Sequence, residues 1–368
     1  MKTDQMHCCL LQGCAHGRAM RRGNSAARLA CSGRHVPGPY LVFALILIGV
    51  SCAMSAPTKG PNWVCVNEKA DWQARDSAGE FVYDDHMWIL GGWYTPQTPN
   101  PRDVWKSPDG KQWTCTAQVA PWEHSDLSVA MVFKGKMWFM GGRKLPGAEN
   151  SNKVWSSTDG AQWTLETDDP GWCPRVSPCF VEFKDRMWVF GGTEDFYKDN
   201  DQTLKNDVWS SADGKEWKLE IQNAAWSKRT HAQAVVFDNK IWIMGGGRWN
   251  PETVPRNDVW CSEDGVNWTQ VTPAAPWDPR MWFSLLVYRD HMWVFGGWSR
   301  EHGNYGDVWY TKDGENWTEL QSDVIWKSRH EHSSVVFQDK IWTMAGHAEP
   351  LNSEVWTLEL PKDWQGED

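Results

Sequence analysis

Thr230-His231-Ala232-Gln233-Ala234-Val235-Val236-Phe237-Asp238-Asn239-Lys240-Ile241-Trp242-Ile243-Met244-Gly245-Gly246 decides the fold. An apolar run ends at a two-residue turn, Asp238-Asn239. A second apolar run carries Trp242 and stops at a Gly pair. A loop then leads to Asn257-Asp258-Val259-Trp260, an Asp264-Gly265 turn and Trp268. The four short runs, bounded by turn signals, read as strands a to d. The next copy begins at Trp277 and Arg280.

The pattern is written six times. The first Trp of each copy falls at 72, 122, 172, 226, 277 and 326, so the period is near 50 residues. Such a period belongs to propeller arrays. The second, third and fourth Trp of the first copy are 88, 105 and 113, and the series holds through Trp317. The sixth copy supplies Trp326, Trp342 and Trp356 and lacks a fourth. Trp63, in Asn62-Trp63-Val64-Cys65-Val66, matches the missing strand. Of the 29 Trp, 24 fit the repeat, leaving Trp93, Trp249, Trp282, Trp298 and Trp364.

The expected fold is therefore all-β: a six-bladed propeller with four antiparallel strands per blade. The N-terminal segment, about residues 61–68, joins the last blade and hides an open edge. Blades are expected near 72–118, 122–168, 172–222, 226–273, 277–322 and 326–360, within a domain spanning 57–361, with a tail at 362–368. The Asp-Gly pairs of five copies are read as two-residue hairpins, which need positive φ at their centre. The Trp residues flanking them, eight apart, are expected to meet diagonally across the hairpin.

Residues 1–56 differ. Basic residues precede an apolar run of 11 residues, Tyr40 to Val50, followed by small residues. This is the anatomy of a signal peptide, and the run is short for a membrane span. Export to the periplasm, cell surface or medium is expected. A lipid anchor at Cys52 or an uncleaved leader stays open, as does a start at Met20. Membrane association is expected only through such a leader. The net charge is −10, and beyond residue 55 the balance is 31 basic to 46 acidic residues. That argues against general nucleic-acid binding. Five Cys lie in the leader. The five beyond it are an odd number without metal-ligand spacing, so neither a disulfide framework nor a zinc site is read.

The run Phe237 to Gly246 followed by Asp258-Val259-Trp260 resembles the kelch repeat, and the resemblance covers residues 62–360. Two features depart from it: the Tyr usual between the Gly pair and the Trp is absent, and the sixth copy has Ala345-Gly346. The segment Ser107 to Trp113 also looks like the Asp-box of sialidase propellers, one residue shorter between Asp and Gly. The resemblance implies a ligand- or protein-binding module. Galactose oxidase is kelch-like, but no Tyr/Cys/His set for its copper site is placed here. Sialic acid mutarotases are exported kelch proteins of similar size; by that resemblance, Arg229, Arg280, Arg329, Glu331 and Glu301 would fill catalytic roles. No local motif selects them.

In a propeller of this strand order, the b-to-c and d-to-a loops share one face, where function is sought. Arg75, Ser125, Arg175, Arg229, Arg280 and Arg329 follow the first Trp of each copy. They read either as anion ligands or as scaffold parts, the latter favoured by their repetition. Trp93, Trp249, Trp282 and Trp298 depart from the repeat on the same face and suit stacking on sugar rings or anchoring a protein. Arg229, Arg280, Arg329, His231 and His332 complete the candidate ligand-binding set. A metal at His330, His332, His347 and Glu349, or calcium at Glu194, Asp195, Asp199 and Asp201, ranks below structural readings; no metal or cofactor is expected. The sequence supports binding of a carbohydrate or an extracellular protein by a monomer, ahead of the alternative, a sugar-active enzyme at the channel mouth.

Overall fold

The structure is a computed structural model that describes residues 61–366. The leader reading for residues 1–56 lies outside the described residues. Among the described residues every regular element is a β-strand; six blades of four antiparallel strands form the ring, and Gly247–Arg248 with Val254–Pro255 and Trp298–Ser299 with Gly303–Asn304 add two small hairpins. Blade 1 comprises Gly79–Tyr83, His86–Leu90, Val104–Ser107 and Thr114–Ala117. Blades 2 to 5 repeat that order, and in blade 2 the strand Lys136–Lys144 extends to pair with Glu149–Asn150. The first strands of successive blades neighbour one another around the ring. Among the described residues no helix is long and apolar enough to cross a membrane.

Blade 6 holds Ser333–Phe337, Lys340–Met344 and Val355–Glu359, and its outer strand is Asn62–Asn67. Trp63 pairs with Leu358, and Cys65 with Trp356. The N-terminal strand thus closes the ring. Its Trp63 packs edge to face on Trp326, repeating the contact of the first Trp with the fourth in every other blade: 72 on 113, 122 on 163, 172 on 217, 226 on 268, and 277 on 317. The expected diagonal meeting of the third and fourth Trp is replaced by this one. In every blade but the second, the third Trp instead donates its indole N–H to the carboxylate two residues earlier, as Trp260 does to Asp258.

The turns also differ from expectation. Strands c and d are separated by six residues in blade 1, 108–113. Only the Gly of each Asp-Gly pair has positive φ. The Asp carboxylate accepts two backbone N–H groups, as Asp109 does from Lys111 and Gln112, and the preceding Ser107 hydroxyl accepts from Gly110. Side-chain oxygens satisfying the turn's own backbone make this an Asx-type turn. The tight two-residue hairpins lie between strands a and b. There both central residues have positive φ, as at Asp238 (47°) and Asn239 (54°), the type I′ geometry.

Blades interlock through the second Trp of one repeat and the Asp-Gly of the next. A Cβ on Gly214 would sit 2.1 Å from the Trp138 ring, and one on Gly110, Gly160, Gly265 or Gly314 would sit 2.3–2.5 Å from Trp342, Trp88, Trp188 or Trp242. Blade 6 takes its outer strand from the N-terminal segment and so has no Asp-Gly to lay on Trp293. The tail fills that place: Trp364 packs 5.2 Å from Trp293 and 5.1 Å from Tyr310.

Candidate functional site

The repeated Arg residues do not point free donors at the channel. In blades 1, 3, 4 and 5, Arg75, Arg175, Arg229 and Arg280 are buried. Each grips the Asp that opens its own strand c through two bonds of 2.6–2.8 Å. Each also donates to the carbonyl of the first residue of the Gly pair, as Arg229 does to Gly245 at 3.0 Å. Arg329 makes the same bond to Ala345 and pairs with Asn352 and Glu354. Burial alone would raise the Asp carboxyls. The paired guanidinium outweighs it and holds Asp103, Asp207, Asp258 and Asp307 below the ordinary range. In blade 2 both partners change together, to Ser125 and Lys153, and the Ser125 hydroxyl donates to Pro101. Arg229, Arg280 and Arg329 are therefore engaged in tying strands within blades.

The mouth of the channel is built by the next two residues of each repeat. Two positions after each Arg, or after Ser125, stand Ser77, Leu127, Ser177, His231, Trp282 and Glu331. All six have φ between 48° and 56°. A left-handed conformation is uncommon outside glycine, and for Leu and Trp it carries strain. Backbone bonds between blades hold it: Ser77 N–H donates to Glu331, Glu331 N–H to Trp282 and Ser177 N–H to Leu127, at 2.9–3.1 Å. This turn directs six side chains of five kinds into one cavity. The residues just before them, Asp76, Asp126, Val176, Thr230, Met281 and His330, bridge to the first residues after the Gly pairs: Trp93, Arg143, Thr193, Gly247, Trp298 and His347. The cavity holds about 140 Å³ of water-accessible space and is partly open to solvent.

One side of this mouth is aromatic. Trp249, Trp282 and Trp298 touch pairwise, with centroids 4.8–5.7 Å apart. His231 lies 4.5 Å from Trp282, and Phe196 joins from blade 3. Trp93 stands apart from the cluster, reached through His330 and His347. Three of the four expected Trp thus come together with His231. Trp282 is buried at 7%, while Trp249 and Trp298 keep more exposed surface. His332 is buried against Phe295 and Trp326 in the channel wall.

The other side is acidic. Asp76, Asp126 and Glu331 come from blades 1, 2 and 6. Arg143 pairs with Asp126 and lies 3.8 Å over the Phe196 ring. Burial pushes the Glu331 carboxyl up to about 8, with the Asp126 charge adding to it. Burial and the Glu331 charge raise Asp76 well above the carboxylate range. Burial lowers His231 well below the usual imidazole range, so it is neutral at pH 7. Buried atoms around the mouth lack hydrogen-bond partners: Arg143 Nη1, both ring nitrogens of His231, Trp282 Nε1, Thr230 Oγ1 and Ser177 Oγ. The first Trp of every repeat also leaves its buried indole N–H unbonded, within the scaffold; Ser177, His231 and Trp282 differ in lining a cavity.

Asp76, Asp126 and Arg143 escaped the sequence reading. Their signal was present as the unlike residues that follow a repeated Arg or Gly pair, where the scaffold sets the backbone and leaves the side chain free. Glu301 is exposed on its loop. Among the described residues no three His, Cys, Asp or Glu side chains form a metal site. The loop acids of blade 3 have internal partners, with Asp199 accepting the Trp249 N–H at 2.7 Å and Glu194 pairing with Lys205.

The sequence model of the KLHDC2/KLHL20/DRC7 Kelch-repeats domain matches residues 127–346, more than half of the chain. Among solved structures, the chain is similar to that of YjhT, with a TM-score of 0.62 and 16% identity, covering 81% of this chain and 97% of that one. At that identity the likeness shows the fold alone. No curated protein matches the sequence. Six blades, their closure and the matching family together place the chain: it belongs to the kelch-repeat family of β-propellers.

Proposed function

We propose that the protein is an exported module that binds a carbohydrate at the loop-face mouth of its channel. The observation that carries this reading is the set of partnerless buried donors and acceptors, Arg143 Nη1, His231 and Trp282 Nε1, beside the accessible Trp249 and Trp298. A sugar presents an apolar ring face and a rim of hydroxyls. The indoles would cover the face, and the polar atoms would bond the rim. The concave mouth suits such a ligand better than a protein surface, which would need a broader apolar patch. Arg229, Arg280 and Arg329 support the site by fixing their blades.

The reading is tested by a glycan-array screen of the protein and its Trp249→Ala/Trp298→Ala double variant. Trp282 is left intact because it is buried and holds a left-handed backbone. Binding by the parent alone supports the proposal. Binding by neither ends the carbohydrate reading and brings an extracellular protein partner forward.

One observation favours catalysis as the second reading. Asp76 and Glu331 are adjacent carboxyls whose proton affinity burial raises, Glu331 to about 8, and a carboxyl so tuned can serve the acid–base catalysis of sugar ring opening. A mutarotation assay on any sugar the array identifies separates the two. Turnover that is lost in Glu331→Gln would establish the enzyme.

A further inference from the structure

We propose that the sugar held at this mouth carries a free amino group, and that its ammonium sits against Glu331, which lines the cavity beside the buried Asp76. The inference rests on the carbohydrate reading above and adds the ligand's charge.

Carboxyls from three blades meet around one hydroxyl. Ser77 Oγ donates to Asp76 at 3.2 Å and lies within bonding reach of Asp126 and Glu331. Asp76 and Glu331 are neighbours across the blade 1–blade 6 seam, where the Ser77 N–H donates to the Glu331 carbonyl at 3.1 Å. Arg143 is the one permanent cation in the cluster. Its Nε is committed to Asp126, and its plane lies on Phe196. The groups facing the remaining pair are two imidazoles, His330 at 3.7 Å from Glu331 and His347 at 3.6 Å from Asp76. Burial lowers both, His330 to about 3, so neither offers a positive charge at pH 7.

Two neighbouring buried carboxyls cannot both ionise, and they share a proton instead. A ligand ammonium brings one positive charge and up to three donors. On binding, it takes the place of the shared proton, which leaves to solvent. An acidic sugar would instead meet carboxylates with no cation to spare beyond one Arg143 donor.

A second feature points to a ligand here independently of the acids. His231 is 3% exposed, lines the same cavity as Ser77 and Glu331, and has neither ring nitrogen bonded. With Trp282 Nε1 it offers neutral partners for ring hydroxyls. The Trp faces alongside attract a cation through their π-systems as well as stacking on a sugar.

Isothermal titration of the full chain at pH 7 with three tetrasaccharides tests the proposal: chitosan tetramer, its fully N-acetylated counterpart and tetragalacturonate. Charge-assisted bonds to the pair should make the free amine bind about tenfold or more tightly than the acetylated sugar. Glu331→Gln should remove that preference, and titration in buffers of different ionisation heat should register proton release. If Glu331→Gln does not fold, Asp76→Asn reads the same pair. Preferential binding of the acetylated or acidic sugar overturns the amine assignment and leaves carbohydrate binding standing. Failure of all three, with an empty glycan array, ends both. A tetralysine peptide that binds as tightly as the chitosan tetramer would also overturn it, since the ammonium would then be recognised without a sugar.

Discussion

Trp63 and Trp326 meet edge to face with centroids 5.7 Å apart and planes at 83°. In every other blade the same contact joins residues of one repeat. Here it joins the N-terminal strand to the last blade, so the ring closes through side-chain packing as well as the strand ladder. Trp63→Ala should destabilise the protein by about 3–5 kcal/mol, the usual cost of emptying a buried aromatic site. Removing residues 57–68 should leave blade 6 with an open edge and abolish a single cooperative melt. A truncated chain with the parent's melting temperature would contradict closure.

The interblade lock gives a controlled comparison. Gly135 and Gly214 have similar positive φ, 71° and 78°, so alanine strains the backbone alike at both. A Cβ at Gly135 meets nothing within 4 Å, whereas at Gly214 it would strike the Trp138 ring. Gly214→Ala should therefore cost about 1–3 kcal/mol more than Gly135→Ala, the range for overpacking a core. Denaturant melts of the two variants check this, and equal losses would mean that the Trp–Gly contact does not hold the blades.

The tail makes a related contact at the seam of blades 5 and 6. Trp364 lies against Trp293, Tyr310 and His291. Ending the chain after Pro361 should uncover Trp293 and lower the melting temperature, and Trp364→Phe should restore part of the loss. Equal melting of the full and shortened chains would show that the tail adds nothing to the fold.

Repetition made the scaffold legible and hid the site. Strand order, closure by Trp63 and the strand a-to-b turn at Asp238-Asn239 follow from a pattern written six times. The eight-residue Trp spacing misled, because the Asp109 carboxylate holds the strand c-to-d loop in a wider turn and sends Trp113 to Trp72. At the mouth, the repeated Arg drew the eye. Yet Arg229 and its counterparts are spent on Asp258 and its counterparts, a pairing between residues about 29 apart in sequence. The varied residues two places later face the cavity. The left-handed turn that aims Trp282 and Glu331 inward leaves no mark on residue type, since it is imposed by bonds between blades. Arg143 was invisible for a similar reason: it follows a Gly pair where other blades carry Trp, Thr, Gly or His.

Glu80, which lines the same cavity as Glu331, yields a pH prediction of its own. Burial raises its carboxyl to about 8 despite a bond from the Ser334 N–H. The unfolded chain releases that proton near the ordinary 4.5. Between these values the folded state holds more protons, so its stability falls as pH rises from about 4.5 to 8. Glu80→Gln removes this loss. Its melting temperature relative to the parent should climb over that window and then level off, by about 2–4 °C for each kcal/mol relieved. A constant difference from pH 5 to 9 would show that Glu80 ionises normally in the folded protein.

The most direct test of the central claim is the position of a bound sugar. Crystals of the protein soaked with the tightest array ligand should show density at the channel mouth, with a ring face on Trp249 or Trp298 and a polar substituent within hydrogen-bonding distance of Glu331 or His231. Density on the opposite face or along an outer strand, with the mouth holding only water, would contradict the account.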